Sequence, residues 1–239
     1  MAATLPDSFH RVFGHTFKPR QRWLKRAAGI SDAYGLALLL TLTTFLVTSM
    51  LPHGDGSLVV GVVLVGVTSL VGLASSNVSR RQLKLVTDIA IVAAVLAAAG
   101  LVLDVTGLID AAIVISASLL FLTATTILGR VLGARTVTFR TILGALTTYT
   151  MLGLIYGFVY EVIEKLQAGA FFSGNPPKTD GQFMFFSYTT LTTTGYGNLV
   201  PAGQPGQSIA VLEMLTGQIF LVTLVAGLVS LWRDRKSVV

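Results

Sequence analysis

No cysteine occurs in this chain, which excludes a disulfide framework, thiolate chemistry and a Cys-based metal site. Charge is scarce as well. Asp, Glu, Lys and Arg make up 12% of 239 residues, about half the roughly 25% of an average soluble domain. A soluble fold of this size could not cover its surface with so few charges. No His, Cys or carboxylate cluster gathers near the one interrupted apolar segment, so an enzyme is not expected. What is abundant is apolar: hydrophobic residues reach 53% and mean hydropathy is +0.76. These proportions predict a membrane-embedded protein.

The net charge is +6, which would suggest a nucleic-acid partner only if the basic residues formed one face. They mark topology instead, so no nucleic acid is expected. Residues 1–31 show no short apolar stretch followed by a small-residue cleavage site, so no signal peptide is expected. They interleave Arg11, Lys18, Arg20, Arg22, Lys25 and Arg26 with Phe9, Phe13, Phe17, Trp23 and Leu24. That mixture predicts a cytosolic basic segment, either a helix lying on the membrane interface or a disordered tail.

A membrane-crossing helix takes roughly 20 mostly apolar residues. Six runs meet that length, at about 33–51, 58–76, 83–103, 108–129, 141–163 and 206–232. Pro52, Gly54, Asp55 and Gly56 break the first pair. Arg80, Arg81 and Lys84 mark the second break, and Asp104, Gly107 and Asp110 a very short third. Of 17 Lys and Arg, all but Lys165 and Lys178 fall before the first span, in alternate loops, or after the sixth. The excess of basic residues on one side predicts cytosolic termini and an even number of spans.

Between the fifth and sixth runs lies Gly181 to Thr192, GQFMFFSYTTLT, too short to span, and then TTGYGNLVP. Backbone that leaves helical geometry at membrane depth is tolerated only where protein buries it or where it lines a water-filled cavity. A re-entrant loop is therefore predicted, with Asp180 capping the start of a half-length helix. Its C-terminal end would point inward, where the negative end of the dipole favours a cation. Replacing the hydration shell of a potassium ion takes rings of backbone carbonyls from symmetry-related strands. Aiming consecutive carbonyls at one axis requires positive φ at some residues, which glycine adopts readily; Gly195 and Gly197 answer to that. The Thr193 hydroxyl can complete the innermost ring, and Tyr196 can brace the strand from outside.

On TLTTTGYG, with Pro201 soon after, the chain resembles the pore domain of tetrameric potassium channels over about Thr141 to Arg233. The resemblance implies an all-α membrane protein with six transmembrane helices and a re-entrant pore helix and filter between the fifth and sixth. It implies ion sites built from the carbonyls of Thr193, Thr194, Gly195 and Tyr196 with the Thr193 hydroxyl, Gly197 completing the motif. FMFFSYTTLT corresponds to the pore helix, and Gly217 to the hinge glycine of the inner helix; close helix packing is the other reading of that glycine. One chain supplies one strand, so a homotetramer in a lipid bilayer is expected. The permeant ion is K+, no other cofactor is implied, and the cell membrane is the expected location. The implied division is a basic segment 1–31, a four-helix domain 32–134, a pore domain 135–233 and a tail 234–239.

The pattern also departs from the family. Asn198 stands where Asp is usual, Phe185 where an aromatic donor (commonly Trp) bonds it, and Thr189 where an acid often sits behind the filter. Thr194 replaces Val or Ile and can bond the pore helix or simply fill the space. Asn198, Thr189, Phe185 and Glu213 are the expected filter supports. Glu213 lies inside the sixth run, where an ionisable group usually has a role, and is expected to brace Glu161, Thr189 or nearby backbone. Glu161 or Glu164, closing the fifth run, would tie it to the pore loop.

Voltage sensing needs several charges crossing the field, each worth about 2.3 kcal/mol per 100 mV. The fourth run has no basic residue before Arg130, so steep voltage gating is not expected. Asp88 in the third run either pairs with Arg80, Arg81 or Lys84 or snorkels to the interface. His10, His15 and His53 are candidate proton sensors, though isolated surface histidines seldom act so. Only seven residues follow Trp232, so no ligand-binding domain is expected there. The alternatives are a weakly selective cation channel and a secondary transporter. Transporters usually show matched breaks in two repeats, and this chain shows one break.

Overall fold

The structure, a computed structural model, describes residues 34–50, 55–76, 78–134, 138–174 and 179–236. The 1–31 segment, His10, His15 and His53 lie outside the described residues. Seven helices follow in order: α1 Tyr34–Met50, α2 Asp55–Ser75, α3 Arg80–Leu103, α4 Thr106–Leu132, α5 Phe139–Leu166, α6 Asp180–Leu191 and α7 Gly206–Lys236. The described residues contain no β-strand, only an isolated antiparallel bridge between Phe172 and Pro201. Five helices, α2 to α5 and α7, are long and apolar enough to cross a membrane. The sixth expected span, α1, is equally apolar but has 17 residues, at the short end of the spanning range of about 17–25.

Local chemistry explains the helix ends. Ser79 and Gln82 form a reciprocal capping box at the start of α3, and Thr138 and Thr141 do the same for α5, so orphan backbone donors are satisfied before each helix enters an apolar environment. Asp104 closes α3 in the left-handed region, at φ 55°, with its amide bonded to the Gly100 carbonyl. The turn between α3 and α4 is so tight that a Cβ on Gly100 would stand 2.6 Å from Ile109 Cγ1. Asp110, expected in that loop, instead lies in the second turn of α4. There it reaches α5, its Oδ1 2.7 Å from Lys165 Nζ. The helix starts at Thr106, two residues before the apolar run, with Val105 at its N-cap making no side-chain cap bond. At the other end of the chain α7 continues to Lys236, past the expected boundary at 233.

The largest buried cluster takes residues from α1, α2, α4, α5 and α6, while α3 packs through smaller clusters with α2 and α4. Packed pairs include α1 with α2, α5 and α6, α2 with α3 and α4, α3 with α4, and α4 with α5. A continuous cluster joins Tyr34, Ile113, Leu120 and Ile127 to Met151, Leu154 and Met184. The contact of α1 with α6 is close. The rings of Phe45 and Tyr188 are 4.4 Å apart, and a Cβ on Gly181 would come within 2.6 Å of the Ser49 carbonyl oxygen. Threonine hydroxyls inside the bundle bond to carbonyls one turn back, as Thr41 does to Ala37 at 2.7 Å and Thr123 to Leu119 at 2.8 Å, which satisfies them without water. Asp88 is exposed on α3, and Arg130 in the last turn of α4.

By contrast, among the described residues α7 packs only on α5 and α6. Val211, Leu212, Leu215, Ile219, Val222 and Val225 are each more than half exposed. A helix this apolar on an uncovered face meets lipid or another protein surface.

Candidate functional site: the strand after α6

The half-length helix α6 begins at Asp180, and Thr179 occupies its N-cap with extended φ and ψ and no side-chain cap bond. Asp180 is therefore the first helical residue and not the cap. A cap must leave helical geometry, and Thr179 does. At the other end the chain folds back onto the helix terminus. The amides of Thr194 and Gly195 both donate to the Thr189 carbonyl, at 2.8 and 3.1 Å, and the Thr193 amide donates to the Thr190 carbonyl at 3.0 Å. The last carbonyls of α6, which have no helical partner, are thus used by the residues that follow.

This wrapping requires alternating backbone conformations. Thr193, Gly195 and Gly197 have φ of 56°, 52° and 79°. At the two glycines no Cβ opposes this. Thr193 is β-branched, and such a residue in this region costs of order 1–3 kcal/mol, so its surroundings must hold it. Its hydroxyl donates to the Thr192 carbonyl at 2.7 Å and accepts from Gln218 Nε2 of α7 at 3.2 Å. The Thr194 hydroxyl lies 2.9 Å from that of Thr192, which donates to the Tyr188 carbonyl at 2.7 Å.

Phe185 stacks on Tyr196, ring centroids 5.8 Å apart and planes 11° from parallel. The Thr189 hydroxyl turns back to the Phe186 carbonyl at 3.0 Å, while its own carbonyl takes the two strand amides. Asn198 is exposed, as are all residues from Thr192 to Gly197. Beyond the strand, the Phe171 amide donates to Glu164, and the Ala202 amide to the Phe171 carbonyl at 2.7 Å. Glu164 therefore ties α5 to the segment carrying the strand. Glu161 instead faces Lys165, at 3.4 Å.

Glu213 is fully buried. It meets neither Glu161 nor Thr189. Its Oε2 accepts from the Tyr160 hydroxyl of α5 at 2.6 Å, and its Oε1 lies 2.5 Å from Ser187 Oγ of α6. One turn on, Gly217 is the point where α7 crosses the end of α6. A Cβ there would run into the Leu191 carbonyl oxygen and stand 3.1 Å from Leu191 Cδ1. The helix passes through Gly217 without a break, and the close approach to Leu191 is what this glycine permits here.

Several residues of the site escape a reading of the sequence by motif. Tyr160, Ser187 and Gln218 reach it from different helices. Gly153 and Gly157 carry a visible signal, small residues four apart on one helix face. A Cβ on Gly153 would be 2.7 Å from the Tyr188 ring, and one on Gly157 would be 2.5 Å from Met184 Sδ. Together they form the groove in α5 that receives α6. Among the described residues no group of three His, Cys, Asp or Glu could hold a metal ion.

No curated protein and no solved structure matches the chain. Residues 144–233 match a protein-family model described as "Ion channel". That stretch takes in most of α5, all of α6, the strand with its alternating φ, and α7 to within a turn of its end. The match supports an ion channel.

Proposed function

We propose that the chain is one subunit of a homotetrameric channel that conducts K+ passively, with four copies of the 193–197 strand around a central axis. The observation that carries the reading is the positive φ at Thr193, Gly195 and Gly197 in a strand whose amides turn into the end of α6. Carbonyls on such a strand are the oxygen ligands that an ion losing its hydration shell needs. The Thr193 hydroxyl adds a fifth oxygen at the inner end. The exposed face of α7 is the surface that three further copies and lipid would cover.

In this reading α1 completes a set of six spans, α6 is re-entrant, and both termini are cytosolic in the cell membrane. The pore domain is 135–233, and 32–134 is a four-helix domain packed on it, without the arginines of a voltage sensor. The test is flux from potassium-loaded proteoliposomes, with and without barium. Flux that follows the membrane potential and is blocked by barium is expected. Flux that requires a coupled counter-ion would overturn the reading in favour of a transporter.

A second reading, a weakly selective cation channel, draws on Phe185. Its ring stacks on Tyr196 but has no N–H to donate, so the outer end of the strand lacks that hydrogen bond. Bi-ionic reversal potentials decide between the two: potassium selectivity is expected, and a reversal potential indifferent to the potassium gradient would favour the second. Asn198→Asp is expected to raise single-channel current at low potassium, because a carboxylate on each copy concentrates cations at the mouth. Equal currents in both proteins across low-potassium solutions would refute that.

A further inference from the structure

The cluster around Glu213 contains one more hydrogen-bond contact than an ionised carboxylate can satisfy. Ser187 Oγ lies 2.5 Å from Glu213 Oε1 and also 2.7 Å from the Gly153 carbonyl oxygen. A hydroxyl has one hydrogen to donate, and a carbonyl and a carboxylate only accept. If Glu213 were ionised, Ser187 could serve one of these oxygens, and its lone pairs would face the other at hydrogen-bond distance. A proton on Oε1 resolves the conflict. The acid then donates to Ser187, Ser187 donates to Gly153, and Tyr160 donates to Oε2, so every contact has one hydrogen.

Burial points the same way. Glu213 is 0% exposed within a single subunit, so neither water nor a side chain of a neighbouring copy can reach it to balance a charge. The titratable group in contact with it is Tyr160 of α5, with Tyr149 of α5 and Tyr188 of α6 within electrostatic reach. The nearest ion-paired cation on α5, Lys165, is engaged with Asp110 and Glu161. An unpaired carboxylate in such a place is strongly disfavoured, and neutralisation is its usual outcome.

We propose that Glu213 is held as the neutral acid and that its proton completes a chain, Tyr160 to Glu213 to Ser187 to the Gly153 carbonyl, which binds α5, α6 and α7 together behind the 193–197 strand. Glu213 is a positioning residue: it touches no ion, and it sets where α6 presents the strand. The consequence for conduction rests on the channel reading above; the protonation state does not.

The sign of the pH dependence follows from the bonding. Removing the proton on raising pH deletes the donor to Ser187 and leaves a buried charge, so deprotonation weakens the clamp. An amide reproduces the neutral acid's pattern, its N–H donating to Ser187 and its carbonyl accepting from Tyr160.

Infrared spectroscopy of the reconstituted protein is the direct test. Wild type at neutral pH is expected to show the carbonyl stretch of a protonated carboxylic acid, shifted by 13C-glutamate labelling, absent in Glu213→Gln, and displaced in frequency by Ser187→Ala. A wild-type spectrum without that band, or a band that Ser187→Ala leaves unmoved, overturns the proposal. This arm needs no conduction, and the labelled wild type decides it even where a variant fails to fold. In the flux assay, wild type is expected to lose conductance as pH is raised while Glu213→Gln stays level. Parallel loss in both proteins overturns the role in positioning, whereas absence of flux at every pH overturns the channel reading and leaves the infrared result standing.

Discussion

Gly217→Ala is expected to abolish potassium flux and to lower the unfolding temperature of the purified protein. The added methyl would meet the carbonyl oxygen of Leu191, a backbone atom at the end of α6 that also accepts from the Tyr149 hydroxyl at 3.1 Å. Neither helix can relieve the clash by rotating a side chain, so α7 must move away from α6. Overpacking of this kind typically costs about 1–3 kcal/mol, and here it also displaces Gln218, the next residue, from the Thr193 hydroxyl. A hinge glycine would behave differently, because alanine at a hinge leaves the fold intact and alters only the fraction of open channels. Gly107→Ala serves as a control, since a Cβ there meets nothing within 4 Å; it is expected to leave both flux and stability unchanged. Full stability in Gly217→Ala with altered open probability would return the residue to the hinge role.

Gly195→Ala is expected to remove flux by another route, leaving the unfolding temperature close to wild type. No atom lies within 4 Å of a Cβ placed there, but φ is 52°. The penalty is therefore conformational, about 1–2 kcal/mol per residue in the left-handed region, and it falls on each copy in the proposed tetramer. The strand can escape it by flipping φ, which turns the peptide groups and removes the alternating geometry. The Gly195 amide would lose its bond to the Thr189 carbonyl, which the Thr194 amide still serves, so the loss of stability should be small. Measured together, the two variants separate packing from backbone conformation: one loses stability and flux, the other flux alone. Wild-type flux in Gly195→Ala would refute the assignment of this strand as the ion path.

The helices were legible because each is a contiguous run whose length and apolarity can be counted. Their ends were less so. Capping residues such as Ser79 and Thr138 set helix starts outside the apolar runs, and the Asp110–Lys165 pair joins α4 to α5 across 55 residues of sequence. The 193–197 strand was legible because all its parts are consecutive and glycine marks the backbone that needs it. Thr193 shows the limit of that rule. Its φ is also positive, and what holds it there includes Gln218, 25 residues away. Glu213 stood out as an acid in an apolar run, yet its partners Tyr160 and Ser187 are 53 and 26 residues distant, beyond any spacing rule.

What the sequence determined by itself is where the chain meets lipid and where its backbone must leave the helix. Both are local sums, of transfer free energy over about 20 residues and of steric cost at single glycines. Only the tertiary structure decided that α1 lies against α5 and α6, that Gly153 and Gly157 form the groove for α6, and that Gly217 marks a crossing. It alone placed Glu213 between two hydroxyls with one hydrogen too few for an ionised carboxylate. Those outcomes depend on how helices cross and rotate about their axes, and in a chain this uniformly apolar many rotations bury equal area. Close approach at glycines and the need to satisfy every buried polar atom select among them.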